Sequence, residues 1–351
     1  MSQTEASITP EEQVSRIFAW RRGFNATHLI DIGIRLGLFR AFAQTPGASA
    51  EEVARRLGLH LRYVRTWCVT AYGFELLEAG DEEHFSLAPH IDQVLAMPSH
   101  SRYMGGYVRL GTEFASEDFR RCEEAFRTGE TLPYQGRSEA FARVVAEATA
   151  GLQVLCARKL LPELPDLKPR LDAGGTILEV GCGTGTHLLR LAKSFPGARC
   201  VGVDIDPTGT AIARASIREA GLDLRVTVLE GDVAEVVQPA SCTCVVMIEV
   251  LHEIAPHLRP HVLGACSRAL DAGGWLLIVD ETYPTTLAQA RAPEFRFPLQ
   301  TGFEELLWGN VLPTREEQES LLHDAGFSGG IRRELIGEGF TVLAARKPQI
   351  R

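Results

Sequence analysis

The chain has 351 residues, of which 45% are hydrophobic and 23% are charged, and this size and composition predict about two globular domains with full cores. Its formal net charge of -9 argues against a nucleic-acid-binding protein, which normally presents a basic face. The polar start MSQTEASITPEEQ has no signal-peptide pattern, and no stretch approaches the ~18 uninterrupted apolar residues of a membrane span, so we expect no membrane partner.

Residues 1–97 carry the pattern of a winged helix. The stretch IFAWRRGFNATHLIDIGIRLGLFRAF has apolar residues at helical spacing, and Ser49 with Glu52 forms a capping-box pattern before the amphipathic VARRLGL. A further helical pattern ends near Gly73, and ELLEAGDEEHFSLAP predicts two short strands around an acidic turn. The order helix, turn, helix, hairpin predicts a mostly helical winged-helix domain.

Two functions are open for this module. Arg62 and Arg65 lie on the helix that would enter the major groove in a DNA-binding winged helix. The same helix carries Tyr63 and Trp67, and the wing sequence DEEHF is acidic and would repel phosphates. We therefore favour a dimerisation and substrate-lid module and expect no DNA partner, with a DNA-binding regulator as the alternative.

Residues 98–169 form a middle section, for which we predict a helical linker and substrate-lid region. SEAFARVVAEATAGLQVLCARKLLPEL is strongly helical in pattern, and the two prolines of LPDLKPR mark a linker because they remove helical hydrogen-bond donors. From Thr176 onward, short apolar runs alternate with helical patterns. This alternation predicts right-handed βαβ units and a parallel sheet, and hence an α/β fold, for residues 170–351.

A dense glycine cluster lies in ILEVGCGTG, between a strand pattern and a helix pattern. Gly181, Gly183 and Gly185 follow Glu179, with one residue between successive glycines. Glycines at a strand-to-helix turn let the backbone approach a ligand closely. The turn lacks the Lys-Ser/Thr pair of a phosphate-binding loop, which argues against phosphate-loop chemistry.

Acidic residues end the next two predicted strands. Asp204 ends the second predicted strand in VGVDID, about 20 residues after the glycine turn, where a carboxylate can accept both ribose hydroxyls of an adenosine moiety. Asp232 ends the third predicted strand in VLEGDV, where a carboxylate can meet an adenine amino group. Either residue alone is equally well explained as a helix N-cap or a surface carboxylate. Together with the glycine turn they indicate a ligand site, because ligands of open α/β sheets bind at these strand ends.

The E-x-G-x-G-x-G turn, followed by GVD and EGD, resembles the class I S-adenosylmethionine-dependent methyltransferases over roughly residues 170 to 348. The resemblance implies a Rossmann-like sheet of seven strands whose last pair is antiparallel, which RRELIGEGFTVLAARK fits. It implies S-adenosylmethionine as cofactor, S-adenosylhomocysteine as its product, and a glycine turn that accommodates the methionyl part. The cofactor-binding residues it implies are Glu179, Gly181, Gly183, Gly185, Asp204, Asp232, Val233 and Ile248.

His252 follows the carboxyl end of a central predicted strand in MIEVLHEIAPHLRPHVL, in the crevice where the methyl group would lie. A hydroxyl acceptor must lose its proton, and histidine has an ordinary pKa suited to that task near neutrality. A histidine that only satisfies hydrogen bonds at the strand end is the alternative. His257 and His261 have the i, i+4 spacing of metal ligands, but Pro256 and Pro260 interrupt the segment, and we expect no metal site.

The stretch VLHE also resembles the L-H-D signature of the dimerising small-molecule O-methyltransferases, which share a helical winged N-terminal region. This resemblance implies that His252 is the general base, that Glu253 takes the place of its acidic neighbour, and that Glu281 in LLIVDETYP orients it. Leu312 stands where plant-type members have a second orienting glutamate. A base held by one carboxylate weakens the case for a hydroxyl acceptor and leaves a thiol, an amine or an enolisable carbon as alternatives. A thiol ionises more readily than a hydroxyl and needs less help from a base.

Aromatic and polar residues in YMGGYVRL and GFEELLWGN lie where family members contact the acceptor, although such residues also pack in cores. The acceptor-binding candidates are Tyr103, Tyr107, Phe114, Phe303, Trp308 and Asn310. The eight cysteines form no paired CxxC set, and we predict free thiols in a reducing cytoplasm. The sequence as a whole predicts a homodimeric methyltransferase that acts on a hydroxyl of a small molecule. S- or C-methylation and, outside this class, a DNA-binding regulator are the alternatives.

Overall fold

The computed structural model describes residues 8–80, 83–133 and 135–349, and the chain divides into two compact units, Met1–Glu113 and Phe114–Arg351. The first seven residues and the wing residues Asp81 and Glu82, which enter the expectations above, lie outside the described residues. Each unit has its own hydrophobic core.

The first unit has the winged-helix order that the sequence predicts. Its helices are α1 (Pro10–Arg35), α2 (Leu38–Gln44), α3 (Ala50–Leu57), α4 (Leu61–Gly73) and α5 (Gly105–Arg109), and its strands are β1 (Ala48–Ser49), β2 (Leu77–Ala79) and β3 (His84–Leu87). Ser49 and Glu52 form the predicted capping box, with the Glu52 amide 3.2 Å from Ser49 Oγ. The strands pair antiparallel in the order β1-β3-β2, and the sequence misses β1 because it has only two residues.

Aromatic side chains fill the core of the first unit. Phe39 and Phe42 pack against Trp67, with ring centroids 5.2 and 6.4 Å apart. The indole nitrogen of Trp67 donates a 2.9 Å hydrogen bond to the carbonyl of Leu29, which ties α4 to α1. On the outer side of α4, Tyr63 and other apolar residues are exposed, and Arg65 forms an ion pair with Glu83 at 3.2 Å. Whether this module has a DNA partner stays a prediction.

The second unit is a seven-stranded sheet with helices on both faces, as the sequence predicts. Its strands are β4 (Thr176–Val180), β5 (Arg199–Asp204), β6 (Val226–Glu230), β7 (Cys242–Ile248), β8 (Leu270–Glu281), β9 (Ile331–Ile336) and β10 (Phe340–Arg346). The helices before the first strand are α6 (Ser116–Phe119), α7 (Cys122–Thr128), α8 (Glu139–Ala148), α9 (Ala150–Leu155) and α10 (Leu167–Asp172). Those that follow it are α11 (Thr186–Ser194), α12 (Pro207–Glu219), α13 (Val233–Val236), α14 (Arg259–Ala269), α15 (Arg296–Trp308) and α16 (Arg315–Asp324).

The strand order is β6-β5-β4-β7-β8-β10-β9. Strands β4 to β8 run parallel, and β10 pairs antiparallel with both β8 and β9, which confirms the predicted final hairpin. The chain moves outward from β4 to β6 and then returns to place β7 on the other side of β4. Ligands of such sheets bind at the carboxyl ends of the strands, where the order reverses. The carboxyl ends of β4 and β7 are therefore the expected location of a site.

Alternating side chains of the central strands supply two separate cores, one on each face of the sheet. In β7, Cys244 and Val246 face one core, whereas Val245 and Met247 face the other. This assignment follows from the two-residue period of a strand. Because both faces are covered, the central strands consist almost wholly of apolar residues, and burial of each large aliphatic side chain contributes about 1.5–3 kcal/mol.

Two features of the middle section differ in detail from the prediction. The helical pattern of residues 139–160 breaks at Thr149, and α8 and the run Ala150–Leu160 meet at an angle of 51°.

No single helix among the described residues is long and apolar enough to cross a membrane. The bent pair of α8 and Ala150–Leu160 reaches that length and apolar composition only when its two parts are taken together.

The prediction of a linker at LPDLKPR was wrong. Helix α10 begins there, and its residues Leu167 and Leu171, with Leu164 before it, are buried in the core of the second unit. Pro169 is tolerated because it lies in the first turn, where backbone amides have no partner within the helix. Arg170 then joins α10 to the sheet through its ion pair with Asp271 at 2.5 Å.

Candidate active site

The glycine turn between β4 and α11 needs glycine for two different reasons. Gly181, Gly183 and Gly185 all have positive φ, at 72°, 47° and 73°. A Cβ at Gly181 would lie 2.4 Å from Val250 Cγ2, and one at Gly185 would lie 2.8 Å from the Cβ of Ala213. A Cβ at Gly183 would meet nothing within 4 Å. The turn is therefore closely packed at Gly181 and Gly185 and open at Gly183, where a ligand can approach the backbone.

Glu179, the penultimate residue of β4, places a buried carboxylate just before this turn. Its Oε1 lies 3.0 Å from Nδ1 of His187, which is in the first turn of α11. Its Oε2 is buried and has no hydrogen-bond partner among the described residues. Buried polar atoms are normally satisfied, so this oxygen is available to a bound ligand. Sequence reasoning missed His187, for which the only signal was its place two residues after the last glycine.

Asp204 at the end of β5 holds the glycine turn in place. Its Oδ2 accepts a 2.7 Å hydrogen bond from the Gly183 amide, and its Oδ1 accepts one of 2.8 Å from the Asp206 amide. Burial raises the pKa of the Asp204 carboxyl, although these two amides act in the opposite direction. Each carboxylate oxygen has two lone pairs, so both retain the capacity to accept a further hydrogen bond from a hydroxyl.

Asp232 takes the N-cap role that its sequence position also allowed. Its Oδ1 accepts a 2.8 Å hydrogen bond from the Ala234 amide at the start of α13, and its Oδ2 lies 3.3 Å from Nε2 of the exposed His261. Val233 beside it is buried, as is Ile248 at the end of β7. Contact of these three residues with an adenine ring remains a prediction.

His252 is buried in the turn after β7, and Asp280 fixes its orientation. Nδ1 of His252 lies 2.8 Å from Asp280 Oδ1. Asp280 Oδ2 accepts hydrogen bonds from the amides of Leu251 at 2.8 Å and of His252 at 3.3 Å. The carboxylate therefore binds both the ring and the backbone of the turn, and Nε2 is the ring nitrogen that Asp280 does not contact.

The orienting role expected of Glu281 was wrong. Its carboxylate accepts a hydrogen bond from the Thr301 hydroxyl, and its carbonyl accepts one of 2.9 Å from Gln318 Nε2. Successive side chains of a strand point to opposite sides, so the adjacent Asp280 and Glu281 cannot both bind the imidazole. Glu281 stays close enough to His252 to interact with it electrostatically.

A second carboxylate does face His252, contrary to the expectation of only one. Glu305 on α15 has its Oε2 3.6 Å from His252 Nε2, and the same oxygen accepts a 2.8 Å hydrogen bond from Asn310. Leu312, where the sequence lacks a glutamate, is buried and apolar. Glu305 lies within GFEELLWGN, from which only the aromatic and amide residues were selected, and it reaches the site from a different helix.

Burial and neighbouring charges shift the pKa values of the ionisable side chains around His252. Burial alone lowers the pKa of His252, but the carboxylates of Asp280, Glu305 and Glu249 outweigh it and raise that pKa well above its usual value. Burial raises the pKa of Glu253 to about 8 and that of Glu281 to about 7. Groups with pKa values shifted this far, gathered in one place, are typical of functional sites.

Arg259 supports the turn that carries His252 without pairing with any of these carboxylates. Its guanidinium is buried and donates to the carbonyls of Ile254 at 3.0 Å and of His252 at 3.3 Å, and also to that of Val311. A buried guanidinium that binds three carbonyls fixes the backbone on both sides of the imidazole.

The acceptor-binding candidates differ in burial and in the residues that they contact. Asn310 positions Glu305, as described above, and Phe303 is 41% exposed and stacks on Phe119. Trp308 is buried, and its indole donates a 2.8 Å hydrogen bond to Asp118. Phe114 packs edge-to-face against Phe141 in the same unit. Tyr103 and Tyr107 belong to the first unit, where Tyr103 is buried. Their contact with an acceptor remains a prediction.

Comparisons with known proteins agree with this description. Residues 177–274 match a protein family described as a methyltransferase domain, and residues 25–96 match a family described as an Rv2258c-like winged HTH domain. The chain is 27% identical to the 3-hydroxy-5-methyl-1-naphthoate 3-O-methyltransferase of Streptomyces sahachiroi, over 73% of this chain and 74% of that protein. It is 28% identical to the aclacinomycin 10-hydroxylase RdmB of Streptomyces purpurascens, over 58% of this chain and 56% of that protein.

The fold is also that of a solved enzyme structure. Human N-acetylserotonin methyltransferase in complex with S-adenosylmethionine superposes with a TM-score of 0.76, at 17% identity, over 99% of this chain and 100% of that one. Similar proteins thus include enzymes with different reactions, so the reaction of this chain must be argued from its own residues.

Proposed function

Because the chain belongs to the S-adenosylmethionine-dependent methyltransferases and begins with a winged-helix domain, we propose that it methylates a hydroxyl of a small molecule with His252 as general base. The observation that carries this proposal is the pairing of His252 with Asp280. Their 2.8 Å contact occupies Nδ1 and keeps Nε2 available to accept a proton at the end of β7. Strand β7 lies beside β4, which carries the glycine turn.

The residues at the ends of β4 and β5 fit the cofactor. The open side of Gly183 and the unpartnered Oε2 of Glu179 offer room and an acceptor for a zwitterionic tail. Asp204 retains acceptor capacity for ribose hydroxyls, and Asp232, Val233 and Ile248 are proposed to hold the adenine. When bound, S-adenosylmethionine supplies an electrophilic methyl group, so the protein has only to align the acceptor and remove its proton.

His252 removes the acceptor proton in this proposal. Asp280 fixes the tautomer with the proton on Nδ1 and stabilises the imidazolium that forms when Nε2 takes up a proton. The expectation of an acceptor other than a hydroxyl rested on the missing glutamate at Leu312. Since Glu305 supplies a second carboxylate near the imidazole, that reason no longer holds.

Replacement of His252 by alanine tests the proposal. We expect the H252A variant to lose turnover by about 100-fold or more, the usual contribution of a positioned base, while its affinity for S-adenosylmethionine changes little. Turnover is measured by mass spectrometry with a methyl-labelled cofactor over a metabolite panel, and affinity by isothermal titration calorimetry. Full activity in the variant would contradict the assignment of the base and favour an acceptor that is already ionised.

The titration of His252 gives a second prediction. Since neighbouring carboxylates raise the pKa of the imidazole, kcat/KM is expected to increase with pH through a value above the ordinary pKa of histidine. Glu305→Gln removes one of those negative charges and shifts the acid limb to lower pH. The same shift is measurable without an acceptor, by NMR titration of labelled histidine. The control is Glu304→Gln, because Glu304 does not interact with His252; an equal shift in both variants would contradict the argument.

We further propose that α1 joins two copies of the chain. Ile17, Trp20 and Phe24 form a stripe along this helix and are 60%, 71% and 51% exposed. Contiguous exposed apolar side chains of this kind mark interaction surfaces. Sedimentation of the wild type is expected to show a dimer and that of Trp20→Glu a monomer. Phe126→Glu, at a site 75% exposed in the second unit, is the control and should leave the dimer intact.

The cysteines support the proposal of a cytoplasmic location. All eight thiols are unpaired and seven are buried, and burial raises the pKa of Cys68 to about 12. Buried thiols with raised pKa values are unreactive and serve as small apolar side chains, as is usual in a reducing compartment.

A further inference from the structure

Five carboxylates interact electrostatically with the one imidazole of the proposed base. They belong to Glu249, Glu253, Asp280, Glu281 and Glu305. In the described part of the chain, the ion pairs of this acidic cluster are those with His252, and the nearby Arg259 donates to backbone carbonyls instead. Burial and mutual repulsion raise the pKa of the Glu249, Glu253, Glu281 and Glu305 carboxyls, because the described residues offer this cluster no paired cation other than the His252 imidazolium.

Glu249 is the member of the cluster that most clearly requires a ligand. Its Oε1 is shielded from solvent and has no hydrogen-bond partner among the described residues. Its carboxylate lies within 4.8 Å of the ligating atoms of His252 and Asp280. Its backbone has a φ of 57°, in the left-handed region that residues with a side chain rarely adopt. A buried acceptor without a donor, in a strained position beside the base, indicates a missing cationic partner.

Glu305 lies on the side of the imidazole from which the acceptor must approach. Asp280 occupies Nδ1, so the acceptor hydroxyl has to meet Nε2, and Glu305 Oε2 is 3.6 Å from that nitrogen. Asn310 holds Glu305 through a 2.8 Å hydrogen bond, which fixes the carboxylate before any ligand binds. A group next to the reacting hydroxyl would therefore meet a preoriented carboxylate.

The geometry points to an acceptor that carries a protonated amine beside the hydroxyl to be methylated, with the ammonium bound by Glu305 and Glu249. This inference rests on the proposed function, because it takes Nε2 of His252 as the point where the hydroxyl binds. An ammonium donates hydrogen bonds to both carboxyl groups and favours their ionised form. A neutral neighbour would give no such stabilisation, and a carboxylate would be repelled.

Three matched phenols test the inference on enzyme loaded with S-adenosylhomocysteine, which has no sulfonium charge. They are 2-(aminomethyl)phenol, 2-(hydroxymethyl)phenol and 2-hydroxybenzoate, and binding is measured by isothermal titration calorimetry. The amine is expected to bind about 10-fold or more tightly than the neutral phenol, since charge-assisted hydrogen bonds contribute roughly 1.5–3 kcal/mol. Glu305→Gln and Glu249→Gln should each reduce this preference, whereas Glu304→Gln should preserve it.

Equal affinities, a preference for the neutral or anionic phenol, or no detectable binding of the amine would overturn the inference. Two other cations are distinguished in the same experiments. If the cluster serves only the sulfonium, Glu249→Gln and Glu305→Gln weaken S-adenosylmethionine relative to S-adenosylhomocysteine and leave the amine preference unchanged. If it binds a divalent metal, Mg²⁺ or Mn²⁺ alone binds the wild type, and Glu249→Gln and Asp280→Asn abolish that binding.

Failure of this inference and failure of the proposed function give different results. Labelled methyl transfer to a neutral hydroxyl acceptor, without any preference for an amine, would leave the methyltransferase proposal intact and remove the amine. Tight binding of the amine, together with methylation of a nitrogen, carbon or sulfur instead of the hydroxyl, would retain the cation site and contradict the proposed reaction.

Discussion

Replacement of Asp280 by asparagine is expected to lower kcat by about 100-fold or more, as much as loss of the base itself, because it reverses the tautomer of His252. Asp280 Oδ2 accepts from two backbone amides, so the oxygen of an asparagine is expected to remain there. The amide NH₂ then faces Nδ1 of His252, which must accept instead of donate. The ring proton moves to Nε2, and the nitrogen that should receive the acceptor proton is blocked.

The effect on catalysis can be separated from the effect on folding. The NH₂ of the asparagine would also oppose the Glu281 amide, which now donates 2.7 Å to Asp280 Oδ1, so unfolding should become easier by roughly 1–3 kcal/mol. Affinity for S-adenosylmethionine should be unchanged at temperatures where the variant is folded. Thermal unfolding, calorimetric titration and turnover measure the three quantities.

Glu281→Gln is the matched control for this prediction. Glu281 is the neighbour of Asp280 in β8, but its carboxylate binds Thr301 rather than the imidazole. We expect a much smaller loss of kcat in Glu281→Gln than in Asp280→Asn. The reverse order would mean that Glu281 orients the base, as the sequence pattern alone suggested.

The predictions that hold are those whose signal is local in the sequence. The capping box of Ser49 and Glu52 involves residues three positions apart, and the central strands β4 and β7 are short, mostly apolar runs. The glycine turn and Asp204 follow from where strands end in any parallel sheet. The position of His252 in the turn after β7 was predicted in the same way, and its role as base stays a prediction.

The assignments that fail depend on contacts between distant segments. The choice between Asp280 and Glu281 requires the phase of β8, and a run that is buried on both faces has no polar alternation from which to read that phase. Glu305 lies 53 positions after His252, on a helix whose placement against the sheet no local pattern predicts (305 minus 252). The acidic cluster is therefore formed by the fold, and no local pattern in the sequence indicates that its residues come together.

The second prediction with a large effect concerns alanine substitutions in the glycine turn. We expect the added methyl group to have different consequences at Gly185 and at Gly183. Gly185→Ala places a Cβ 2.8 Å from the Cβ of Ala213 and 3.2 Å from its Cα, on α12, at a φ of 73°. We expect it to lower the free energy of unfolding by roughly 2–5 kcal/mol, the sum of the left-handed backbone cost and overpacking. Chemical denaturation measures this loss.

Gly183→Ala should instead lose the cofactor while it remains folded. Its Cβ meets no protein atom within 4 Å, so only the backbone cost of about 1–2 kcal/mol applies to folding. The added methyl group fills the open side of the turn, and affinity for S-adenosylmethionine should fall by about 10-fold or more if this is where the ligand approaches. Gly221→Ala has a similar φ of 65° and open surroundings outside the turn, and it should show the same backbone cost without the loss of affinity. Equal affinities in Gly183→Ala and Gly221→Ala would mean that the cofactor does not approach the turn at Gly183.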